Sequence, residues 1–452
     1  MLESPTAAPS THTLRPSSDD PAVTTAIDGA PLVDPTSTAP LEDSSVATPQ
    51  GASAAEGAAP SAVATEPATP QGPFDRFLAP GPARSVVNWL AVVLAVYVLV
   101  SAVGVIGAGF KTATGDHAPQ LFAFAENPLV ALMVGILATA ALQSSSTTTS
   151  ITVGLAAGGL PLEIAIPIIF GANIGTTLTN TLVALGSITR KDEFRRSFAA
   201  ATVHDFFNLI AVLVFLPLEY FTGFFRHLSG AIATALPGGN GVDTDSFDLV
   251  GAATSPLKDG LGALASPLGS VFGGVVMVLL GVVLIFFSIG FLGKLLKTLM
   301  VGRAKAVLHG SIGRGPVTGI GAGALVTAVV QSSSTSTSLM VPLAASGTFS
   351  LRQVYPFAVG ANIGTTITAL LAALGLSGVD AVLGLQVAVV HLLFNLCATL
   401  VVFGIPVVRE LPLRGAAWLA GLAARRTWIA AVWVLGVFVA LPAVLIVLTA
   451  VF

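Results

Sequence analysis

The sequence QSSST occupies residues 143–147 and recurs at residues 331–335, and each copy interrupts a long apolar run. Burying hydroxyl and amide groups in a segment apolar enough to lie in a lipid bilayer costs free energy, unless these groups line a cavity and bind a ligand. Two such copies predict that one half of a binding site is present twice. They also predict that the two halves face each other across a substrate.

The repetition extends well beyond these two stretches. The sequence GANIGTT occupies residues 171–177 and recurs letter for letter at 360–366. A His-x-x-Phe-Asn pattern at 204–208 likewise recurs at 391–395. These landmarks lie 187 to 189 residues from their counterparts, which indicates a duplicated unit. Internal duplication in a membrane chain is typical of secondary transporters.

Composition places the duplicated unit in a membrane. The chain has 452 residues, of which 54% are hydrophobic and only 10% are charged, so we expect an all-α polytopic membrane protein. Residues 1–84 differ, because they are rich in Ala, Pro, Ser, Thr and acidic residues. Such a segment buries too little apolar area to offset the entropy of ordering. It is predicted to be a disordered, dispensable tail, and a regulatory or partner-binding tail is the alternative.

The apolar runs predict two transport repeats, at 85–225 and 268–410. An extracellular polar loop at 226–267 separates them, and a C-terminal membrane segment at 411–452 follows. Within each repeat, the flanks of the polar stretch are shorter than the ~20 residues that a membrane crossing needs. We therefore expect a re-entrant hairpin with QSSST at its tip, followed by a broken membrane-spanning helix. The hairpins cover 128–160 and 316–347, and the broken helices cover 161–188, with the break at 171–175, and 350–376.

The basic residues predict the orientation in the membrane. Three basic clusters, at 190–196, 294–314 and 409–426, belong in the cytoplasm by the positive-inside rule. The N-terminus is then cytoplasmic, in a multi-pass protein of the plasma (cell inner) membrane. The first hairpin enters from outside and the second from inside, which predicts two inverted-topology repeats. The last apolar run, 427–452, puts the C-terminus outside if it spans.

Several motifs resemble the type II sodium-dependent phosphate cotransporter family. They are the paired QSSS and GANIGTT stretches, FRRSF at 194–198 and ATVHDFFN at 201–208, and the resemblance covers roughly residues 86–410. It implies a sodium-coupled symporter that imports inorganic phosphate by alternating access. Such a protein is not an enzyme and needs no cofactor, since sodium is co-transported. One departure is that residues 225–267 contain no cysteine and no Asn-x-Ser/Thr site, unlike the disulfide-bonded, glycosylated loop of vertebrate relatives.

Phosphate is an anion, so burying it needs hydrogen-bond donors and compensating positive charge. Ser and Gln side chains and the N-terminal ends of broken helices supply such donors. The resemblance implies that both hairpin tips bind phosphate, through Gln143, Ser144, Ser145, Ser146, Gln331, Ser332, Ser333 and Ser334. Asn173 and Asn362 lie where a side chain either binds the ligand or caps a broken helix, and the sequence favours neither interpretation.

Sodium supplies the remaining charge and prefers oxygen ligands. The resemblance implies a sodium site in the second repeat, formed by Gln331, Ser332, Thr365 and Thr368. Symmetry extends this prediction to the first repeat, at Gln143, Ser144, Thr176 and Thr179.

Asp205 breaks the symmetry, because Leu392 occupies the equivalent position. An ionisable group within a membrane span is a functional candidate. Electrogenic members of the family hold an extra sodium ion with an additional aspartate, so the resemblance implies this role for Asp205, with three sodium ions moved per phosphate dianion. The alternative is that Asp205 lies near the cytoplasmic end of its helix and pairs with Arg195 or Arg196.

Two other functions compete with phosphate symport. A sodium-coupled carrier of another oxyanion, such as sulfate, arsenate or a carboxylate, needs similar donors. A passive anion channel needs no sodium. A membrane hydrolase is disfavoured because no Ser-His-Asp order with an elbow motif is present. The predicted partners are phosphate, sodium and membrane lipid, with no nucleic acid, and His204 and His391 are interpreted as hydrogen-bonding residues between packed helices.

Overall fold

The computed structural model describes residues 81–115, 127–235, 249–311, 314–376 and 379–451, together with positions 73, 74, 76, 77 and 79. These regions are almost entirely helical, and no strand occurs within them. The predicted tail at 1–84 lies almost wholly outside the described residues.

The first repeat contains a long helix, two short helices joined at the QSSST stretch, and three further helices. Only Gln143 and Ser144 separate the two short helices of the predicted hairpin. Asn127 caps the first of them, because its side chain accepts a hydrogen bond from the N–H of Leu129 at 2.9 Å. The helices are α1 (Pro82–Thr114), α2 (Pro128–Leu142), α3 (Ser145–Ala157), α4 (Leu162–Gly175), α5 (Leu178–Leu185) and α6 (Lys191–Thr222).

The segment between the repeats is largely helical, so the prediction of a polar loop at 226–267 is wrong for most of its described residues. Helix α7 spans Phe224–Ala235, and α8 spans Leu249–Ala265 with a 3-10 turn after it at Ser266–Leu268. Helix α7 packs against the second repeat, and α8 packs against α1.

Burial explains why α7 forms. Phe225, Ser229 and Ala233 are buried at a spacing of four residues, which is one face of a helix. The Phe225 ring meets Phe170 and Phe394 edge-on, so α7 closes an aromatic cluster between the repeats.

The second repeat copies the order of the first. A long helix is followed by the second QSSST hairpin, whose descending arm consists of two short helices, and then by two long helices. The helices are α9 (Ser270–Ser311), α10 (Pro316–Val330), α11 (Ser333–Ser338), α12 (Met340–Ala345), α13 (Leu351–Ala373) and α14 (Val379–Ala398), which continues into a π-helical turn at Thr399–Phe403.

Glycines fix how each hairpin packs against the helix that follows it. A Cβ placed on Gly171 of α4 would lie 2.1 Å from the carbonyl oxygen of Leu132 in α2. Its counterpart in α13, Gly360, would place a Cβ 1.9 Å from the carbonyl oxygen of Ile320 in α10. No side chain fits at either position, so the GANIGTT motif is first of all a close-packing surface.

The two predicted broken helices behave differently. The first is broken, but at Thr176 and Thr177, between α4 and α5, rather than within 171–175. The second prediction is wrong, because α13 runs from Leu351 to Ala373 without interruption. Its glycines approach α10 instead of breaking the helix.

The C-terminal segment lies outside both repeats. Its helices are α15 (Pro406–Arg425), α16 (Trp428–Leu435) and α17 (Leu441–Val451), with a π-helical turn at Gly436–Ala440 between the last two. Trp428–Thr449 is one of seven stretches among the described residues that are long and apolar enough to cross a membrane, whereas α2 and α10 are shorter. The prediction of an all-α polytopic membrane protein is therefore confirmed.

Candidate functional site

The turn at each hairpin tip has an uncommon backbone conformation. Gln143 and Gln331 are the two non-glycine residues with positive φ in the described parts of the chain, at 52° and 56°. The left-handed conformation costs free energy for such side chains and persists where the surroundings require it. Ser144 and Ser332, the next residues, are extended with φ of −154° and −153°. The two tips therefore share one turn geometry.

The amide side chains at the tips are held in the same way. Nε2 of Gln143 donates to the carbonyl oxygen of Ala140 at 2.5 Å, and Gln331 donates to the carbonyl oxygen of Ala328. Each Oε1 is left to accept from a threonine hydroxyl. That hydroxyl belongs to Thr179 for Gln143, at 2.9 Å, and to Thr368 for Gln331, at 2.8 Å.

The first serine of each tip caps the helix that follows. Ser144 Oγ accepts from the N–H of Thr147 at 3.2 Å, and Ser332 Oγ accepts from the N–H of Thr335 at 3.2 Å. Each cap satisfies one N–H group of the first turn, and the others have no partner within the helix. Both tips therefore present the N-terminal end of a helix.

The third serine of each tip reaches the other repeat. Ser146 Oγ lies 3.3 Å from Oγ1 of Thr365, and Ser334 Oγ donates to the carbonyl oxygen of Thr176 at 3.5 Å. Thr365 and Thr176 occupy the same position of the two GANIGTT copies. Each hairpin tip thus packs against the GANIGTT segment of the opposite repeat.

Exposure separates the two tips. Gln331 is buried, with 4% of its surface exposed, whereas Gln143 is exposed. Ser144 and Ser332 are both half-buried. The second and third serines are buried at both tips. The first tip is therefore accessible at its amide, and the second is enclosed.

Asn173 and Asn362 are buried near the tips and do not cap helices. Asn173 donates to the carbonyl oxygen of Ile169 within its own helix at 2.9 Å. Asn362 Oδ1 lies 2.6 Å from Nε2 of His204, and its amide donates to Oδ1 of Asn208 at 2.8 Å. Asn362 therefore joins the repeats, and His204 is a cross-helix hydrogen bonder as predicted.

Asp205 has a partner that the sequence did not suggest. The indole N–H of Trp433 in α16 donates to Asp205 Oδ2 at 2.8 Å. The predicted alternative, a pair with Arg195 or Arg196, is wrong, because both arginines are exposed and Arg196 donates to the carbonyl oxygen of Ala345 instead. Asp205 itself is 1% exposed, and its Oδ1 has no hydrogen-bond partner.

The structure thus places most of the predicted site residues at the two tips and at the GANIGTT segments that they contact, while Asp205 is hydrogen-bonded to the C-terminal segment. Thr337 and Asn180 join the site unpredicted, since Thr337 Oγ1 donates to Asn180 Oδ1 across the repeats at 2.9 Å. Thr337 lies two residues after the second QSSST stretch, and Asn180 lies three residues after the first GANIGTT stretch. Asn180 has Ala369 as its counterpart, so the repeat pattern gave no signal for this contact.

The arrangement of the repeats matches a known protein family. The sequence profile described as Na+/Pi-cotransporter matches residues 98–232 and 284–407, one range for most of each predicted repeat. The chain belongs to the Na+/Pi-cotransporter family. The predicted resemblance is confirmed, and the two matched ranges end on either side of the segment that contains α8.

Members of this Na+/Pi-cotransporter family with curated names include similar chains from vertebrates. Sodium-dependent phosphate transport protein 2A of Rattus norvegicus is 34% identical over 420 residues, which cover 76% of this chain and 65% of the rat protein. Sodium-dependent phosphate transport protein 2B of Homo sapiens is 30% identical over 436 residues, or 76% of this chain and 63% of the human protein. The chain thus spans less than two thirds of the length of these relatives. No solved structure matches it significantly.

Proposed function

We propose that this protein is a sodium-coupled symporter that imports inorganic phosphate by alternating access, with phosphate held between the two QSSS tips. The observation that carries this proposal is the crossing of the tips, in which Ser146 meets Thr365 and Ser334 meets Thr176. A site built from both repeats is one that a change in their relative position opens or closes. Family membership supports the choice of sodium and phosphate.

Phosphate binds the donors that converge at the tips. Helices α3 and α11 begin at the tips, so their first-turn N–H groups and positive dipole ends point to the place where an anion would sit. The Ser hydroxyls and Gln amides add donors without a buried arginine. The phosphate ligands that we propose are Gln143, Ser144, Ser145, Ser146, Gln331, Ser332, Ser333 and Ser334. Asn362 supports the site from behind, through its bond to His204.

Sodium binds the amide and hydroxyl oxygens at the base of each tip. Gln331 Oε1 and Thr368 Oγ1 lie 2.8 Å apart in a buried environment, and a cation replaces that hydrogen bond by taking both oxygens as ligands. Ser332 and Thr365 complete this site. The equivalent set in the first repeat is Gln143, Ser144, Thr176 and Thr179, and Asp205 supplies the charge for an additional sodium ion.

Purified protein in liposomes with an imposed sodium gradient tests the proposal. We expect radiolabelled phosphate to enter only when sodium is outside at higher concentration, and choline or potassium not to replace sodium. Excess unlabelled sulfate should compete poorly because it carries no proton at neutral pH, and arsenate should compete well because it matches phosphate in shape, protonation and charge. Uptake of sulfate in preference to phosphate would identify another oxyanion carrier, and phosphate flux without sodium would identify a channel. Either result would overturn the proposal.

The orientation is part of the proposal. The three basic clusters support a cytoplasmic N-terminus in the cell membrane by the positive-inside rule. Membrane-impermeant labelling of a cysteine introduced at residue 191, in an otherwise cysteine-free Cys397→Ser background, tests this topology. We expect the introduced cysteine to be labelled only from the inside of the membrane. Labelling from the outside would show that the topology is opposite to the proposed one.

A further inference from the structure

Helix α16 of the C-terminal segment contacts Asp205, which has no equivalent aspartate in the second repeat. Trp433 lies in α16, outside both repeats, and its indole N–H donates to Oδ2 of Asp205 at 2.8 Å. The indole also stacks on Phe206, the neighbour of Asp205, with ring centroids 5.2 Å apart and an angle of 23° between the planes. The side chain of Trp433 is therefore fixed in position and in direction.

Two local features accompany this contact, a glycine in α15 and a π-helical turn after Trp433. Gly415 of α15 lies against Phe206, since a Cβ there would fall 2.7 Å from a ring carbon of Phe206. The π-helical turn Gly436–Ala440 follows Trp433, and wide turns of this kind bring residues five apart onto one face. Phe438, five residues after Trp433, is buried in the hydrophobic cluster against which Trp433 packs. Pi-helical turns of this kind are frequent at functional sites.

The hydrogen bond leaves one carboxylate oxygen unpaired. Asp205 Oδ1 is buried without a hydrogen-bond partner. The Thr177 hydroxyl lies close to the carboxylate and also bonds to the carbonyl oxygen of Ile174 at 3.0 Å. Its oxygen is thus a second candidate ligand for a cation beside Asp205. An indole N–H only donates, so Trp433 holds the carboxylate without itself binding a cation.

We propose that Trp433 is a positioning residue that directs Asp205 Oδ1 and Thr177 Oγ1 toward one alkali cation. The inference rests on the proposed sodium role of Asp205 and extends it to the C-terminal segment. A carboxylate held at one oxygen has fewer orientations to lose when the cation binds, so the bond raises sodium affinity. The symmetric position, Leu392, has neither a carboxylate nor an indole partner, so the extra site exists in one repeat only.

The first test compares Trp433→Phe with the exposed control Trp428→Phe in proteoliposomes. Phenylalanine keeps an aromatic ring beside Phe206 and removes the N–H donor. We expect Trp433→Phe to raise the sodium concentration for half-maximal phosphate uptake by about tenfold, as for loss of a hydrogen bond to a charged group. Uptake at saturating sodium should remain, and Trp428→Phe should leave the sodium dependence unchanged.

Asp205→Asn separates this inference from the proposed function. If Asp205→Asn changes neither the sodium dependence nor the charge moved per phosphate, the sodium role of Asp205 is wrong. If it changes them while Trp433→Phe does not, only the positioning role is wrong. In the double variant, Trp433→Phe should add no further shift to that of Asp205→Asn. An additional shift of the same size in the double variant would indicate a general packing role and overturn the inference.

A binding measurement provides a readout that does not need transport. The chain has four tryptophans, so Trp89→Phe, Trp418→Phe and Trp428→Phe together leave Trp433 as the single indole fluorophore. Sodium, titrated against an equal concentration of choline, should change the emission of Trp433, and Asp205→Asn should abolish the change. Emission that does not respond to sodium in the protein with intact Asp205 would count against a cation next to this indole.

Discussion

The two repeats have the same histidine and asparagine residues near the site, but these residues form different hydrogen bonds. His204 bonds to Asn362 at 2.6 Å, and Asn362 bonds to Asn208 at 2.8 Å. In the other half, both ring nitrogens of the counterpart His391 lack a partner although the residue is fully buried. Asn395, the counterpart of Asn208, has an unpaired Oδ1 as well.

The difference teaches that sequence symmetry determines which groups are available and not which of them are paired. Unpaired buried polar groups cost free energy, and the second repeat has more of them, because only Nδ1 of His204 is unpaired in the first His-Asn pair. In the alternating-access cycle that we propose, the two repeats exchange conformations. We therefore expect the opposite state of the cycle to pair His391 with Asn173, the counterpart of Asn362.

The largest expected effect is a loss of stability on substitution of Gly171 and Gly360, which occupy equivalent positions in the two repeats. Gly171→Ala and Gly360→Ala each place a methyl group about 2 Å from a backbone carbonyl oxygen of the hairpin, and backbone cannot move aside as a side chain can. We expect each variant to lose more than about 3 kcal/mol of stability. Thermal unfolding of the purified protein, or loss of a monodisperse peak on gel filtration, measures this.

Gly321→Ala is the matched control, because Gly321 lies in α10 one residue from Ile320 and a methyl group there would have no neighbouring atom within 4 Å. It should be neutral or stabilise the protein by up to about 1 kcal/mol, as alanine does in a helix. Equal loss of stability in Gly321→Ala and Gly360→Ala would refute the close-packing explanation.

These glycines show how far the sequence alone reached. Duplication and apolar runs predicted the repeats, the two hairpins and the residues at their tips, because all of these depend on local composition. The same pattern predicted a break in both GANIGTT segments, and α13 has none. Glycine is compatible with a break and with close packing, and only the position of the neighbouring helix distinguishes them.

The contact between Trp433 and Asp205 was out of reach for a similar reason. Trp433 lies 228 residues from Asp205 in the chain, in a segment without a repeat partner. Sequence patterns relate residues within one helix or between duplicated units. They do not indicate which face of an added helix packs against the repeats.

The next largest effect is expected from substitutions of His204 and His391, whose hydrogen bonding differs between the repeats. His204→Leu leaves both Asn362 Oδ1 and the neighbouring network unsatisfied, so we expect a loss of about 2 kcal/mol in stability. His391→Leu removes a ring that has no partner, so its stability should be unchanged or higher, while transport should fall because the opposite state loses its pair. Thermal unfolding and phosphate uptake, measured on the same preparations, compare the two variants. Equal destabilisation by both would mean that the network is symmetric in solution.

A smaller effect sharpens the comparison of the two tips. Asparagine tolerates the left-handed conformation of Gln143 and Gln331, but its shorter side chain does not reach Thr179 or Thr368. Gln331→Asn should therefore fold normally and raise the half-maximal sodium concentration by about tenfold. Gln143→Asn should have a weaker effect, because Gln143 is exposed and its hydrogen bond competes with water. A larger effect at Gln143 would show that the exposed tip is the tighter sodium site.

The smallest effect concerns two ion pairs whose charges are exchanged between the repeats. Glu163, near the start of α4, pairs with Arg226, while Arg352 at the equivalent position of α13 pairs with Glu410. Arg352 holds both carboxylate oxygens of Glu410, each at 2.7 Å, whereas Arg226 donates to one oxygen of Glu163. Two parallel hydrogen bonds fix the geometry better than one, so Glu410→Gln should lower the melting temperature more than Glu163→Gln does.

The pH dependence of this small effect has a definite sign. The hydrogen bonds from Arg352 hold the pKa of Glu410 below its usual value. The folded state therefore gains stability from this carboxylate above the ordinary glutamate pKa of about 4.3, and the gain disappears as the pH falls through the lowered pKa. The difference in melting temperature between the native protein and Glu410→Gln should be about 1 °C or less at pH 7, because the pair is exposed, and should vanish toward pH 3. A difference that grows as the pH falls would contradict the role of Arg352, since a protonated Glu410 accepts less strongly from a guanidinium.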